Sequence, residues 1–540
     1  MRKISQSLIA ILLCGLALAG SALAQNPSKL CPKRPLPGTV VSNPPNLTSQ
    51  NGVLEATLVL RKFLDSRGYE EYCYDYAGTQ LPGFFEAPTL SLNPGDQLIL
   101  NLKNDLPKET ENEMGKEMAG DMEVIPPPGE SPDCHGGKIT ISSTNVHFHG
   151  LNVPPTCHQD DVINTLIQPG DPPFQFRITI PPNDPPGLYW YHPHPHGYTT
   201  NQVNGGAAGA LIIEGMEKVR PEVSGLKERV LVIREQVLNP NAWIPGPYEM
   251  SINFQLAVTP AAKPPVIEIK PHEKQFWRVA NASTQLFLAL QLQYSTVPQK
   301  MLLIAVDGVP LKTPEYVTTI PMAPAARAEF VMEGPDAGQD AQFDTLAVNT
   351  GPVGNPNVAQ VIADITTTDN PQDNLPTMPA VAGTTGPQRF ANLLEQPVTT
   401  ERKLYFSETA GGTNGPTKYM ITVDGQKPHV YEGSDPPAIT TQIGAVEDWT
   451  IENRAQEEHA FHIHQIHFLV MEINGKPLAN PYLSDTVEVP YWSGSGPFPS
   501  VKVRMDFRDP NIAGTFVYHC HVLDHEDGGM MAKIEVDPAN

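Results

Sequence analysis

The chain is poor in basic residues, in charged residues overall and in cysteine. Of its 540 residues, 36 are Lys or Arg and 59 are Asp or Glu, so the formal net charge is −23. This balance argues against a nucleic-acid partner, which would require a basic face. It is compatible with metal ions and with neutral or cationic organic substrates.

Long apolar stretches are missing beyond the first 24 residues. No later segment approaches the roughly 20 uninterrupted apolar residues of a membrane-spanning helix, so we expect no membrane insertion. At the N-terminus, two basic residues precede an apolar stretch from Leu8 to Leu18, and a small-x-small site ends at Ala24. This order predicts a signal peptide over 1–24 and a secreted or periplasmic protein.

The number of cysteines is informative because it becomes odd after cleavage. Six are present, and Cys14 leaves with the predicted signal peptide. In an oxidising compartment an odd number leaves at least one thiol for another role, and Cys520, between His519 and His521, is the candidate. The others can form two disulfide bonds in a pairing that the sequence leaves open: Cys31, Cys73, Cys134 and Cys157.

Turn-forming residues, by contrast, are abundant, with 57 Pro and 42 Gly. Between them lie short segments rich in β-branched and aromatic residues: Ala56–Arg61, Gln97–Leu102, Phe174–Ile180, Gly209–Glu214, Arg229–Ile233 and Phe468–Ile473. This pattern predicts an all-β protein built of sandwiches.

Two internal repeats indicate how many sandwiches there are. A ten-residue stretch, running from a turn through a strand to an Asn, occurs at Gly95–Asn104, His272–Asn281 and Gly444–Asn453. A second repeat matches Gly187–His194 with Gly514–His521, and the middle copy lacks it. The repeats predict three related sandwiches, with the chemistry in the first and third and the second as a spacer.

The domain limits follow from these repeats and from composition. We place the first domain at 25–215, the second, which lacks the histidine pair of the other two, at 216–365 and the third at 401–540. The stretch at 366–400 is rich in Thr, Pro, Asn and Gly, which is typical of a linker.

The first domain also carries an insertion at about 105–140. In it Met114, Met118 and Met122 recur every four residues among acidic side chains. On a helix these thioethers would share one face. That face either packs on the sandwich or holds copper ions loosely, with the neighbouring carboxylates.

Four short histidine motifs carry the chemistry of the chain. They are His147-Phe148-His149, His192-Pro193-His194, His459-Ala460-Phe461-His462-Ile463-His464, and His519-Cys520-His521 followed by His525 and Met530. Residues two apart on a strand point the same way, so each His-x-His can direct two imidazoles to one site. Neutral imidazoles and a thiolate are natural copper ligands, and the set therefore predicts copper chemistry.

With these motifs the sequence resembles the three-domain multicopper oxidases, the laccase-like group, over nearly all of the chain after the signal peptide. The resemblance implies three cupredoxin-like Greek-key β-sandwich domains and four copper ions, one of type 1, one of type 2 and a type 3 pair. It implies that the type 1 ion is held by His459, Cys520 and His525, with Met530 as axial ligand. The type 2 ligands would be His147 and His462, and the type 3 ligands His149, His192, His194, His464, His519 and His521.

The family also places two acids that relay protons to the copper cluster. Glu526, directly after His525, matches one of them. The other would be Asp160 or Asp161, which lie a few residues later than the family pattern. The alternative for all three is a loop carboxylate that caps a turn. Asp485, in a stretch common in the third domain of the family, is predicted to be structural.

The resemblance implies a laccase-like enzyme that oxidises phenols or aromatic amines one electron at a time and reduces dioxygen to water. We expect a monomer. The first alternative is a metallo-oxidase of Cu(I), Fe(II) or Mn(II), which an acidic, Met-rich patch near the type 1 site would favour. A copper nitrite reductase or a non-catalytic copper carrier would not need all of these histidines.

Overall fold

The computed structural model describes residues 31, 34–65, 70–78, 86–108, 134, 137–237, 248–257, 263–380, 389–411 and 416–539. The predicted signal peptide and the segment with Met114, Met118 and Met122 lie outside the described residues, so both stay predictions. No helix in the described part of the chain is long and apolar enough to cross a membrane.

The first sandwich contains the strands β1 (Asn46–Thr48), β2 (Val53–Leu64), β3 (Glu70–Tyr76), β4 (Thr89–Leu92), β5 (Gln97–Asn104), β6 (His147–His149), β7 (Phe174–Thr179), β8 (Gly187–His192) and β9 (Gly209–Ile213). They form two sheets, in the orders β3-β2-β5-β7 and β1-β4-β9-β8-β6. Every second residue of β5 is buried, as expected for a strand with one face on the core. Two short helices follow, α1 (Thr199–Asn204) and α2 (Met216–Val219).

The middle sandwich contains the strands β10 (Lys227–Val237), β11 (Tyr248–Ile252), β12 (Gln255–Ala257), β13 (Val266–Ile269), β14 (Lys274–Asn281), β15 (Leu288–Tyr294), β16 (Val297–Pro298), β17 (Met301–Val306), β18 (Val309–Val317), β19 (Ile320–Met322), β20 (Arg327–Glu333), β21 (Ala341–Thr345) and β22 (Gln360–Thr367). One sheet has the order β12-β11-β10-β14-β20-β17-β18 and the other β13-β22-β21-β15-β16, with β19 beside β15. Trp277 is buried in the core between them.

The third sandwich contains the strands β23 (Thr400–Thr409), β24 (Lys418–Val423), β25 (Ile439–Gln442), β26 (Ala445–Asn453), β27 (His459–Ile463), β28 (Phe468–Ile473), β29 (Lys476–Ser484), β30 (Thr486–Val489), β31 (Ser500–Phe507), β32 (Gly514–Cys520) and β33 (Met531–Asp537), and the helix α3 (Leu523–Asp527). Its sheets have the orders β24-β23-β26-β31-β28-β29 and β25-β33-β32-β27-β30. Short 3₁₀ turns lie at Pro221–Val223, Leu393–Glu395 and Pro510–Ile512.

The ten-residue repeat occupies the same place in each sandwich. Strands β5, β14 and β26 each pair in parallel with an earlier strand, β2, β10 and β23 respectively. On the other side each pairs antiparallel with a later strand, β7, β20 and β31. The prediction of an all-β protein with three related cupredoxin-like sandwiches is confirmed.

The asparagine at the end of each repeat is buried and ties loops to the strand. The side-chain amide of Asn104 donates to the backbone oxygens of Ser142 and Ile167. Asn281 and Asn453 use their amides in the same way, on the backbone oxygens of their own sandwiches. A buried loop backbone needs such partners, which explains why the repeat ends on Asn.

Two further interpretations depend on where the strands end. Strand β22 ends at Thr367 and β23 begins at Thr400, which fits the linker expected at 366–400. Part of this segment lies against the middle sandwich, where Asp373 forms an ion pair with Arg229. The exact domain limits stay predictions.

Candidate metal centre

The four histidine motifs converge where the first and third sandwiches meet. Strand β6 pairs with β8 so that His147 lies opposite His192. Strand β27 pairs with β32 in the equivalent register, with His462 opposite His519. The first and third sandwiches each supply four imidazoles to a buried group that we call the histidine cluster: His147, His149, His192, His194, His462, His464, His519 and His521.

Rings from the two sandwiches interleave within this cluster. His147 stacks on His464 with 3.8 Å between ring centroids, and His149 stacks on His462 at 3.9 Å. Nε2 of His519 lies 3.4 Å from Nε2 of His194 and 3.3 Å from Nε2 of His464. These last three imidazoles offer nitrogen atoms within 4.8 Å of one another, close enough for one metal ion.

Hydrogen bonds decide which nitrogen of each ring is free for a metal. Nδ1 of His192, His462 and His519 faces a backbone oxygen at 2.8–3.0 Å. A carbonyl can only accept, so these rings carry their proton on Nδ1 and leave Nε2 with the lone pair. Nε2 of His192 and His462 is buried and has no hydrogen-bond partner among the described residues. Orphaned buried nitrogens of this kind fit metal ions.

His147 and His149 are oriented by carboxylates. Nδ1 of His147 lies 3.0 Å from an oxygen of Asp160, which leaves its buried Nε2 free. His149 has the opposite arrangement, because its Nε2 lies 3.2 Å from an oxygen of Asp485 and its Nδ1 is unpartnered. Each carboxylate thereby selects one tautomer of its histidine.

Burial keeps the histidine cluster in the form that binds metals. Removal from water, followed by the electrostatic effect of neighbouring imidazoles, lowers the pKa of several members well below the ordinary value, namely His149, His192, His194, His464, His519 and His521. Neutral imidazole has a lone pair to donate, whereas imidazolium has none. The cluster is therefore chemically suited to bind several neighbouring metal ions.

A second, smaller group lies beside it and is called the thiol cluster: His459, Cys520 and His525. Sγ of Cys520 is 3.5 Å from Nδ1 of His459 and 3.8 Å from Nδ1 of His525. The two Nδ1 atoms are 3.1 Å apart. Cys520 is a free, buried cysteine, and its backbone N–H donates to the backbone oxygen of the fully buried Met530. Two imidazoles and a thiol at these distances fit the three strong ligands of a blue copper site.

The outer side of the thiol cluster faces carboxylates. Oε1 of Glu408 lies 3.0 Å from Nε2 of His459, and Oε1 of Glu457 lies 3.2 Å from Nε2 of His525. The ring of Tyr419 stacks on His525 at 4.3 Å. A cavity of about 330 Å³ opens here, and its lining includes His525, Tyr419, both glutamates and Phe287. Burial and the neighbouring Glu457 raise the pKa of Glu408.

The predicted proton-relay acids occupy different surroundings. Asp160 is buried against His147, and it also accepts hydrogen bonds from the backbone N–H of Phe148 and from Gln465. Asp161 instead accepts from the backbone and side chain of Asn164, three residues later, within a turn. Of these two, Asp160 is the one whose described contacts include a member of the histidine cluster.

Glu526 is fully buried beneath the histidine cluster. Its Oε2 lies 3.3 Å from Nδ1 of His519, and its Oε1 lies 3.6 Å from Nδ1 of His194. Thr199, at the start of α1, donates a hydrogen bond to Oε1. Burial and the adjacent Asp527 raise the pKa of Glu526 well above its ordinary value.

Other contacts at the centre lie outside the sequence motifs. Asp485, predicted to be structural, reaches the cluster itself through His149, and its partner Arg327 comes from the middle sandwich. Arg327 lies outside every motif that the sequence displays, so its role could not be predicted from the sequence. His467 contacts Asp485 at 3.4 Å, and His196 packs its ring edge-on against Tyr431, so neither is a member of the two clusters.

The remaining cysteines form two disulfide bonds, both in the first sandwich. Cys31 is bonded to Cys73 and Cys134 to Cys157, with Cα atoms 6.0 and 5.7 Å apart. This pairing leaves Cys520 as the free thiol, in agreement with the count of cysteines.

Comparison with known proteins gives one family. Three multicopper oxidase models match residues 139–218, 190–366 and 408–540. A multicopper oxidase of Staphylococcus aureus is 24% identical over 91% of this chain and 94% of its own. A laccase of Haloferax volcanii is 24% identical over 84% of this chain and 77% of its own.

Solved structures agree on the fold. A multicopper oxidase from Campylobacter jejuni, described as a metallo-oxidase, has a TM-score of 0.66 at 22% identity and covers 95% of this chain and 97% of that one. The two clusters fit the copper sites that such a family requires. The chain belongs to the multicopper oxidase family, and it is an oxygen-reducing copper oxidoreductase.

Proposed function

We propose that this protein is a laccase-like oxidase that removes single electrons from a small donor and reduces dioxygen to water with four copper ions. The thiol cluster with Met530 would hold the type 1 ion. His147 and His462 would hold the type 2 ion, and the other six members of the histidine cluster the type 3 pair.

The observation that carries this proposal is the covalent link between the two clusters. Cys520 lies in the thiol cluster, while its neighbours His519 and His521 lie in the histidine cluster. The chain at 519–521 therefore joins the two groups, with a single peptide unit between Cys520 and each histidine. Copper, when bound, would supply one-electron uptake at the first group and four electrons to dioxygen at the second.

The protein's own residues have separate tasks in this scheme. His525 lines the cavity directly, and Glu408, which lies 3.0 Å from the outer nitrogen of the buried His459, lines it as well. A donor in the cavity is therefore separated from Cys520 by the imidazole of His525. Glu526, buried between His194 and His519, holds a proton next to the histidine cluster. Asp160 fixes the orientation of His147.

The cavity also bears on the class of donor. Phe287 and Tyr419 contribute aromatic side chains to the lining, which suits donors with a single aromatic ring, such as phenols and aromatic amines. Glu457, and Glu408 in its ionised form, favour donors that carry positive charge. Aromatic amines with a permanently cationic substituent combine both properties, so we rank them above anionic phenolates.

A metallo-oxidase of Cu(I), Fe(II) or Mn(II) is the second candidate. Glu408 and Glu457 each place a carboxylate oxygen 3.0–3.2 Å from an outer nitrogen of the thiol cluster. Carboxylates are hard-ion ligands, so the pair suits ferrous or manganous ions better than cuprous ions. Nitrite reductase and a copper carrier receive no such support, since neither needs the complete histidine cluster.

Oxygen uptake with a panel of donors tests the proposal. We expect consumption of dioxygen with water, not peroxide, as product, and a copper content of several ions per chain. One copper ion per chain would overturn it. Turnover with an aromatic diamine but not with ferrous ion favours the first candidate, and the reverse favours the metallo-oxidase.

Two accompanying predictions concern the whole chain. The signal peptide leads us to propose a secreted or periplasmic protein, which cell fractionation tests. We also propose a monomer, which size-exclusion chromatography with light scattering tests.

A further inference from the structure

The middle sandwich has no metal-binding motif, yet the side chain of its Arg327 binds Asp485, which contacts the histidine cluster. We propose that Arg327 of β20 is a positioning residue for the histidine cluster: acting through Asp485, it fixes the tautomer and orientation of His149. This inference rests on the proposed function, because it takes His149 to be a copper ligand. It replaces the expectation that the middle sandwich is only a spacer.

Arg327 is fully buried, and its guanidinium group is held by several acceptors at once. Nε donates to the backbone oxygen of Leu188 in the first sandwich. Nη1 donates to Ala325 and Nη2 to Asp307, both backbone oxygens of the middle sandwich. The two remaining N–H groups reach the carboxylate of Asp485 in the third sandwich. With all five N–H donors engaged, the planar fork has one orientation.

Asp485 passes this orientation on to two members of the histidine cluster. Its Oδ1, which accepts from Nη1 of Arg327 at 2.7 Å, lies 3.2 Å from Nε2 of His149. Its backbone oxygen accepts from Nδ1 of His462 at 2.8 Å. A carboxylate that receives a bidentate guanidinium cannot rotate freely, so it presents Oδ1 to His149 in a fixed direction. The proton of His149 then stays on Nε2, and Nδ1 keeps the lone pair.

The backbone at Gly150, directly after His149, lies so close to the Arg327–Asp485 ion pair that a side chain there would not fit. Gly150 has a φ of +89°, and a Cβ there would lie 2.6 Å from Nη2 of Arg327 and 2.7 Å from Oδ2 of Asp485. Any side chain at this position would displace the ion pair or the ligand strand β6. The tight fit ties the position of His149 to that of Arg327.

The loop between β17 and β18 supports the arrangement from below. Asp307 accepts from the backbone N–H of Arg327 and from the hydroxyl of Ser484, the residue before Asp485. Its backbone oxygen accepts from Nε2 of His467. Asp307 therefore fixes both partners of the ion pair, from the sandwich that holds no metal ligand.

A buried arginine on the neighbouring strand provides a matched control. Arg278 of β14 is also fully buried and forms ion pairs with Glu228 and Glu329. Glu329 in turn accepts from the backbone N–H of Leu188, so this pair also joins the middle sandwich to the first. The contacts that the structure describes for Arg278 do not include a member of either cluster.

The experiment compares Arg327→Lys, Arg327→Gln, Asp485→Asn and the double variant Arg327→Gln/Asp485→Asn with Arg278→Lys. Copper content, the near-ultraviolet shoulder of coupled type 3 copper, the type 2 electron paramagnetic resonance signal and the thermal unfolding of the copper-free protein are measured for each. We expect the Arg327 and Asp485 variants to lose copper or alter the type 2 and type 3 signals, while the visible type 1 band remains. Arg278→Lys should keep all of these signals even where its unfolding temperature falls.

The double variant separates a positioning role from a general loss of stability. If Arg327 acts through Asp485, the double variant has the same spectrum and copper content as Asp485→Asn alone. Additive losses, or an Arg327→Lys protein with the spectrum and copper content of Arg278→Lys, would overturn the inference. Should Arg327→Gln fail to fold, Arg327→Lys, which keeps the charge, decides the matter by the same criteria. A wild-type chain with one copper ion would instead overturn the proposed function, and the inference with it.

Discussion

Oε1 of Glu408 lies 3.0 Å from Nε2 of His459, on the opposite edge of the ring from the Nδ1 that faces Cys520. The imidazole thus separates a carboxylate in the cavity from the thiol by the width of one ring. Glu457 and His525 repeat the arrangement at 3.2 Å. A positively charged donor would be attracted to the two edges from which electrons can enter.

Replacing both glutamates by glutamine should therefore slow the oxidation of cationic donors more than that of neutral donors. For Glu408→Gln/Glu457→Gln we expect kcat/KM to fall at least about tenfold for an aromatic amine with a quaternary ammonium group or for ferrous ion, a loss of about 1.4 kcal/mol. A neutral phenol should change much less. Glu432→Gln, at an exposed site outside the cavity lining, serves as the control. Equal losses for charged and neutral donors would mean that the carboxylates act on the thiol cluster and not on the donor.

Cys520→Ser should abolish the visible band and turnover. A hydroxyl replaces the thiolate that gives blue copper its colour, while His519 and His521 remain in place. The activity lost should exceed the roughly 10–100-fold that removal of a hydrogen-bond partner of a ligand costs. Absorption spectra and oxygen uptake measure the two effects.

The control for this change is Pro193→Ser, at the equivalent position between two histidines of the first sandwich. It should keep the visible band. A Cys520→Ser protein that oxidised its donor at the normal rate would refute the role assigned to the thiol.

Asp160→Asn and Asp161→Asn should differ although the residues are adjacent. Asp160 orients His147, so its amide variant should lower kcat or copper occupancy by roughly 10–100-fold. Asp161 caps a turn at Asn164, so its variant should cost stability, about 1 kcal/mol, with little change in copper content. Copper analysis and thermal unfolding distinguish the two. The reverse order of effects would assign the role to Asp161.

Glu526→Gln should slow the reduction of dioxygen without removing copper. A buried proton donor next to the reacting group typically contributes about 10²–10⁴-fold, and glutamine cannot supply the proton. The visible band should persist, because Glu526 contacts the histidine cluster and not the thiol cluster. The rate of reoxidation of the fully reduced protein by dioxygen is the measurement.

Asp527→Asn is the neighbouring control for Glu526. Asp527 accepts from the backbone N–H groups of Thr199 and Thr200 at the start of α1, and it does not contact the histidine cluster. Its variant should reoxidise normally and unfold at a lower temperature. If Glu526→Gln also reoxidised normally, the acid would be structural.

Removal of copper by a chelator should lower the free energy of unfolding, and the size of the loss should depend on the concentration of free copper. A ligand present at 100 times its dissociation constant stabilises the folded state by about 2.7 kcal/mol. Without copper the eight imidazoles of the histidine cluster face one another in the buried interior, so we expect a clearly lower unfolding temperature after copper removal. Calorimetry with graded copper measures it, and an unfolding temperature independent of copper would contradict the assignment.

Much of the fold was predictable because it repeats. The period of two along a strand, together with a stretch that recurs three times, was sufficient for the three sandwiches. The two histidine strands β8 and β32 were predictable for the same reason, since His192 and His519 occupy equivalent registers. Ligand motifs are local in sequence, and local patterns are what a sequence displays.

The residues around the ligands were less accessible. Arg327 meets Asp485 across 158 positions, and Glu408 meets His459 from a strand with no motif of its own. Such contacts depend on how sandwiches pack, and no periodicity encodes them. The choice between Asp160 and Asp161 was open for a similar reason, because adjacent residues in a turn differ only in direction.

Both disulfide bonds described by the structure lie in the first sandwich, whereas the unpaired thiol among the described residues, Cys520, lies in the third. The disulfide bonds require oxidised cysteines and the thiol cluster requires a reduced one, so the two requirements are met in separate sandwiches. Under reducing conditions the thiol cluster is complete within the third sandwich, while the first sandwich still lacks its cross-links. Reduction of both disulfide bonds would therefore leave the covalent structure of the third sandwich, with all three members of the thiol cluster, unchanged.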